Sequence, residues 1–220
     1  MRIDLDFAAV LLQWPLLLHG VLWTLGLTAV SALIGVVVGI ACAWSRASGP
    51  LWLKWIVGAY VELIRNTPFI VQLFFVFFGL PALGLRLSPE VASVIAMVIN
   101  LGAYATEIVR AGIESVPRGQ FQAAIALGLP RRRVFRHIVL PQALANVFPA
   151  LLGQVLIVML GSAVCGQIST PELSFEANLI QSRNFRAFEA YIVATAVYLV
   201  LSMALRRLLF WVGPRFLWGR

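Results

Sequence analysis

The sequence predicts an all-α integral membrane protein with about five transmembrane helices, N-terminus out and C-terminus in. Three observations carry this. Of 220 residues, 61% are hydrophobic and only 12% charged, against about 45–50% and about 25% in a soluble domain. Mean hydropathy is +0.92, so polar residues are too few to cover a soluble fold of this size. The charges are also segregated: Phe7–Ser45, Asn66–Leu85, Val91–Thr106, Ile138–Pro171 and Ala190–Leu205 contain no Asp, Glu, Lys or Arg. A spanning helix needs about 20 mostly apolar residues. With flanks included, spans are expected at 19–44, 67–82, 89–112, 141–165 and 188–211, within a single domain covering 1–220.

The first span contains Gly35 and Gly39, a small-xxx-small pair that lets a neighbouring helix approach closely. Between Pro50 and Pro68, Lys54, Glu62 and Arg65 interrupt an apolar stretch. It reads as an amphipathic helix at the inner interface feeding a shorter second span; a tilted full span starting near Trp52 is the alternative. The third span opens at Ser88-Pro89-Glu90, an N-cap, a first-turn proline and a first-turn acid. Trp211 and Trp218 suit the interface near the C-terminus, or simple lipid contact.

Orientation follows from the cations. Putting the N-terminus outside places thirteen of the 17 Lys and Arg on the cytoplasmic side, among them Arg46, Lys54, Arg65, Arg110 and Arg131, Arg132, Arg133 and Arg136; Arg2, Arg86, Arg183 and Arg186 fall outside. A pI near 10.7 therefore points to topology, and nucleic acid is not an expected partner. No cleavable signal is expected, since Arg2 is balanced by Asp4 and Asp6 and no small-residue cleavage site follows.

Several chemistries are excluded. Lys54 is the one lysine and sits between Leu53 and Trp55, so no Gly-Lys-Ser/Thr phosphate loop exists and the chain is not itself a Walker-type ATPase. No His-Glu-x-x-His or Gly-x-Ser-x-Gly occurs, so no catalytic residues are expected. Cys42 and Cys165 fall on opposite faces, roughly 30 Å apart at the helical rise, and read as packing residues. His19 and His137 lack metal-ligand spacing, so no metal is expected.

The informative segment is the cytoplasmic loop, 115–140. Gln120 to Leu127 suits a short helix, with Ala123, Ala124 and Ala126 as its slim face. Gly128 suits the left-handed residue that ends a helix. Pro130 suits the first turn of the next, and a further helix is expected to begin near Pro141. A solvated basic loop that only sets topology and binds anionic lipid is the plainer reading, but such a loop has no need of this order.

This loop resembles the EAA loop of ABC importer permeases. Gln122-Ala123-Ala124, three residues, Gly128, nine residues, then Ile138-Val139-Leu140-Pro141 match that motif in every spacing, with Gln122 in place of the usual Glu. Arg65-Asn66-Thr67-Pro68 through Gln72, Ala103-Tyr104 through Gly112, Val116 through Gln120, and Glu172-Leu173 with Phe185 through Tyr191 are similar to segments of the polar amino acid uptake permeases. The resemblance covers roughly residues 15 to 210. It implies a type I importer permease subunit in a bacterial inner membrane, paired with a second permease chain above a cytosolic ABC ATPase dimer and fed by an extracytoplasmic solute-binding protein. ATP and Mg would sit on the partner ATPase; none would bind this chain. Gln122, Ala123, Ala124, Gly128, Leu140 and Pro141 would couple to that ATPase. A stand-alone secondary transporter or channel is the competing function, disfavoured by five spans without an internal repeat.

For the solute pathway, ionisable groups inside spans are the first candidates. Glu107 lies about 27 Å down the third helix from Pro89 at 1.5 Å per residue. Arg110 and Glu114 share its face, so it serves either in an ion-pair ladder or toward the cavity. Asn100 and Tyr104 share that face, and Gln154 and Ser162 supply polarity on the fourth span. Many relatives carry Lys-Asp-Thr/Ser-Ser-Leu where this chain has Leu160-Gly161-Ser162-Ala163-Val164. The missing Asp implies either a substrate that is not basic or a different partner permease; a heterodimer is favoured over a homodimer.

Overall fold

The computed structural model describes residues 5–218, with side chains through Gly213; Arg2, Arg215, Trp218 and Arg220, used above for topology or interface anchoring, lie outside the described residues or side chains. After a single turn at Ala8–Leu11, the main elements are α1 (Trp14–Ser48), α2 (Leu51–Arg65), α3 (Phe69–Phe74), α4 (Pro89–Ser115), α5 (Arg118–Ala126), α6 (Arg131–Val134), α7 (Leu140–Gly161), α8 (Leu173–Asn184) and α9 (Ala187–Trp218). Four helical runs are long and apolar enough to cross a membrane: Trp14–Ser48, Pro89–Ser115, Arg131–Ile168 and Ala187–Gly213. A fifth candidate is the pair Leu51–Arg65 and Phe69–Leu83, bent by 111° at its break.

The distribution of polarity is that of a membrane protein. Thr24, Thr28, Ser31, Gln72, Ser93, Thr106 and Ser162 are buried, whereas Leu22, Leu33, Val37, Phe75, Phe78 and Leu199 face outward. In hydrocarbon an outward Leu costs nothing and an outward amide does. Two of the inward hydroxyls are satisfied by their own helix: Thr28 Oγ1 donates to Thr24 O at 2.6 Å and Thr106 Oγ1 to Gly102 O at 2.6 Å.

α1 and α4 form the centre of the bundle. A Cβ added at Gly35 would meet Leu101 at 3.0 Å, and one at Gly39 would meet Ala105 Cβ at 2.5 Å. This is the close approach expected of the glycine pair. Around it Leu27, Leu73, Met97, Leu101, Val158 and Ile168 make the main apolar core.

The break between α2 and α3 has a local cause. Proline pushes the preceding residue out of the helical region, so Thr67 before Pro68 cannot continue α2. The carbonyls left unpaired at the end of α2 need donors. Gln72 supplies them: Nε2 lies 2.8 Å from Ile64 O and 3.0 Å from Thr67 O. α2 thus stands apart from the shorter apolar segment after it, with Leu51, Trp52, Trp55 and Ile56 exposed and Val57 and Val61 buried. That segment passes from α3 through a π turn, Phe75–Gly79, and a 3₁₀ turn, Leu80–Leu83. α4 then opens as its sequence suggests, with Ser88 Oγ accepting from Val91 N at 3.4 Å.

One expectation is corrected here. The helix expected near Pro141 is present as α7, from Leu140, but it does not start afresh after a loop. α6 runs into α7 through a π turn at Phe135–Val139, and Arg131–Ile168 is one continuous helical run. Proline has no N–H, and its ring crowds the carbonyl four residues back; the wider π turn ahead of Pro141 accommodates both. Pro130 likewise sits at the N-cap of α6, not inside its first turn.

At the opposite end, α8 is pinned between α1 and α9. Glu172 is fully buried and caps α8, accepting from Ser174 N at 2.8 Å, Phe175 N at 2.7 Å and the Tyr198 hydroxyl at 2.6 Å. Thr24 Oγ1 accepts from Leu173 N at 3.2 Å. His19 Nδ1 lies 2.8 Å from Glu176 Oε1, and Trp23 Nε1 donates to His19 Nε2 at 3.1 Å. His19 is therefore a structural partner of a buried acid.

Two predictions follow from the packing. Gly39→Val, which forces a side chain into α4, should destabilise the protein by about 1–3 kcal/mol. Gly26→Ala, whose Cβ meets nothing within 4 Å, should not; thermal unfolding in detergent compares them. Burial pushes the Glu172 carboxyl above its ordinary pKa, although its hydrogen bonds pull the other way. A raised folded-state pKa gives stability that is full at acid pH and lost as pH rises through it. The stability of the wild type relative to Glu172→Gln should therefore fall as pH is raised, read from melting temperatures across a pH series.

Candidate functional site

Two places hold the residues singled out from the sequence: a cytoplasmic knob and a polar row along α4.

The knob is α5, its C-terminal turn and α6. α5 covers Arg118–Ala126, close to the expected helix. Gly128 is left-handed at φ +78°, and its N–H bonds Ile125 O at 2.9 Å while Leu129 N bonds Ala124 O at 3.2 Å, closing the helix by a glycine cap. The three alanines do not share one fate. Ala124 is buried with Val116, Val134, Val139 and Ala143, while Ala123 and Ala126 face out beside Gln122. The slim face is thus split: one alanine holds the knob to its own small core, and the others are presented.

That core joins the knob to the spans. Val116 lies just past α4, and Ala143 lies in α7. Gln142 Nε2 donates to Gln120 Oε1 at 2.6 Å, and Asn146 Nδ2 donates to Ser115 Oγ at 2.9 Å. Trp44 of α1 packs on Phe135, ring centroids 5.7 Å apart. Gln122 borders a groove of about 400 Å³ between α5 and the end of α1. Leu140 and Pro141 are half-buried at the head of α7, where they orient the knob and lie apart from its presented face. His137 neighbours the arginines, its Nδ1 3.1 Å from Arg133 O.

The polar row runs down α4 against the bent segment. Asn100 Nδ2 donates to Gln72 Oε1 at 2.9 Å, so Asn100 completes the satisfaction of the break. Tyr104 lies beneath Arg65, whose guanidinium carbon is 5.5 Å from the ring centre, a cation–π geometry. Glu107 is a hub. It accepts from Arg46 of α1, from Arg110 Nε and Nη2 at 3.1 and 2.8 Å, and lies 3.9 Å from Arg65 of α2. Arg110 also donates to Glu114 at 2.5 Å. The ladder expected within α4 is present, and two arginines from other helices join it.

On the facing helix, Gln154 is buried, and Ser162 is fully buried with its hydroxyl donated to Met159 O at 2.7 Å. A cavity of about 80 Å³ between α4 and α7 is lined by Phe69, Met97, Asn100, Ile157, Val158 and Gly161. Of the five pathway candidates, only Asn100 reaches it. A Cβ built on Gly161 meets nothing within 4 Å, so the position where relatives carry Asp is open space.

Arg46, Arg65 and Gln72 contact the candidate residues and were not named as site residues from the sequence. Gln72 had a signal, being the one side-chain amide within the expected span 67–82. The arginines had none, because their shared partner is 61 and 42 positions away, respectively.

The architecture and the knob match a known family. The family model for the binding-protein-dependent transport system inner membrane component matches residues 35–218. This chain belongs to that family. It is 35% identical over 203 residues to the arginine transport system permease protein ArtQ of Bacillus subtilis, covering 92% of this chain and 93% of that one. It is 34% identical over 209 residues to the glutamine transport system permease protein GlnP of Escherichia coli, covering 92% and 95%. The crystal structure of an amino acid ABC transporter with histidines superposes at TM-score 0.87 with 35% identity, over 97% of this chain and 100% of that one. The MetNI methionine ABC transporter shares the fold at TM-score 0.72 and 24% identity, over 94% and 97%. The permease is thus a multi-pass inner-membrane component with the type I ABC importer fold.

The hub yields a test. Glu107→Gln leaves Arg46 and Arg65 without their shared counter-charge, beside an Arg110 that keeps only Glu114. The permease should lose about 1–3 kcal/mol of stability, between the values for exposed and for fully buried pairs, seen as a lower melting temperature. Affinity for the transported solute should be unchanged if the hub is structural.

Proposed function

We propose that this permease is the transmembrane subunit of an ATP-driven importer that moves a polar amino acid inward by alternating access. ATP hydrolysis would occur on a cytosolic ABC ATPase dimer, with ATP and Mg held there. An extracytoplasmic solute-binding protein would deliver substrate. The observation that carries this reading is the packed knob. α5 is a short capped helix, presenting Gln122 and Ala123 and anchored through Ala124 to the feet of α4 and α7. A lever must be stiff, and a helix with its own buried core transmits displacement where a free loop would absorb it. Closure of the ATPase pair against this helix would swing α4 and α7 together. The relatives named for arginine and glutamine transport support an amino acid as substrate.

The α4–α7 cavity supports a second permease chain of different sequence. Its one polar lining side chain, Asn100, is engaged with Gln72, and Ser162 is turned away. Such a half offers no carboxylate to a substrate ammonium or guanidinium, so recognition would fall to the partner permease. Mass spectrometry of the intact complex, reading chain identities and bound solute, tests this; a complex with two copies of this chain refutes the heterodimer.

The coupling reading is tested at Gly128. A β-branched residue resists positive φ, so Gly128→Val should distort the turn and lower solute moved per ATP hydrolysed several-fold in reconstituted vesicles. Gln122→Glu, at an exposed site, should leave that ratio near wild type. Unchanged coupling in Gly128→Val would remove the lever from the mechanism.

A further inference from the structure

The proposed transport cycle leaves one charged pocket at the inner end of the bundle unused. It has a volume of about 380 Å³ and lies between α2 and the ends of α1 and α4, walled by Leu51, Lys54 and Trp55 of α2, Arg46 of α1 and Arg110 and Glu114 of α4. Its lining holds three cations and one acid. Arg46 is drawn toward Glu107, and Arg110 is shared between Glu107 and Glu114. Lys54 pairs with no carboxylate among the described residues. The pocket therefore keeps an excess of positive charge after its internal ion pairs are formed.

The surroundings say what kind of anion fits. Leu51, Trp52, Trp55 and Ile56 are exposed beside the pocket on the same helix. The 111° bend separates α2 in direction from the apolar segment that follows it. The cations bias this end of the bundle to the cytoplasmic side. A cationic pocket bordered by indole rings and aliphatic side chains at that level matches a molecule with a phosphate at one end and hydrocarbon at the other. A free phosphate would use the charges and leave the apolar border unexplained. A zwitterionic lipid would bring its own ammonium group toward Lys54 and Arg46.

We propose that this pocket binds the phosphate headgroup of an anionic phospholipid of the inner leaflet, with Lys54 and Arg46 facing the phosphate and the acyl chains lying along Leu51, Trp52 and Ile56. A lipid so placed touches α1, α2 and α4 at once and ties the broken segment to the central helix pair. This goes beyond the transport reading and does not depend on it.

The test uses the full permease purified with its partner chains, stripped of lipid, and titrated with phosphatidylglycerol or with phosphatidylcholine of the same chains. Native mass spectrometry reads lipid retention. Phosphatidylglycerol should be retained in preference. Lys54→Gln should weaken its retention about five-fold, the effect of removing one cation worth ~1 kcal/mol near a membrane surface. Lys54→Arg should restore it, and Arg136→Gln, in the π turn that follows α6, should leave it unchanged. Equal retention of the two lipids, or wild-type retention by Lys54→Gln, overturns the proposal. Displacement of the lipid by millimolar inorganic phosphate also overturns it, assigning the cations to a free anion instead.

Discussion

A carbonyl inside hydrocarbon has no water to turn to, and the organisation of this permease's inner half depends on how one such problem is solved. Pro68 ends α2 and leaves carbonyls open at Ile64 and Thr67. Gln72 reaches back to fill them, and Asn100 on α4 holds the other end of the same amide. The break therefore becomes a defined angle. α2 is set against α4, Arg65 is laid over Tyr104, and Arg65 and Arg46 come to a shared carboxylate, Glu107. The Tyr60 hydroxyl of α2, donating to Ile99 O of α4 at 2.6 Å, holds the same angle from further up the helix.

A second consequence concerns which polar groups are free to act. Asn100, Glu107 and Ser162 are each engaged with the protein itself: with Gln72, with three arginines and with a backbone carbonyl. In a medium where an unmatched polar group is expensive, engagement with the protein is the ground state for such residues. Intramembrane polarity in this chain thus serves architecture first. That is coherent with a permease whose facing cavity is small and mostly apolar and whose distinctive surface is the cytoplasmic knob.

In the proposed mechanism the knob turns a loop into a mechanical element. Its stiffness comes from a few small choices: a left-handed glycine to close α5, an alanine at 124 small enough to sit against Val134 and Val139, and a π turn that carries α6 into α7 without a joint. The last of these removes the hinge that a helix starting afresh at Pro141 would have introduced. In the proposed mechanism, that continuity is what lets a displacement at the membrane surface reach the middle of the bundle.

The residues alone determined the fold class, the number and order of apolar segments, their orientation and the position of the knob, because these depend on local quantities: runs of hydrophobicity, cation placement, and proline and glycine at helix ends. The loop spacing from Gln122 to Pro141 carried the family for the same reason, being a pattern along the chain. The tertiary structure alone decided which polar groups meet. That Arg46 and Arg65 converge on Glu107, that His19 serves Glu176, that Gln72 stitches the break and that Ala124 is buried while Ala123 is presented all depend on distances between helices far apart in sequence. Helical periodicity places a side chain on a face but does not say which neighbour that face will find.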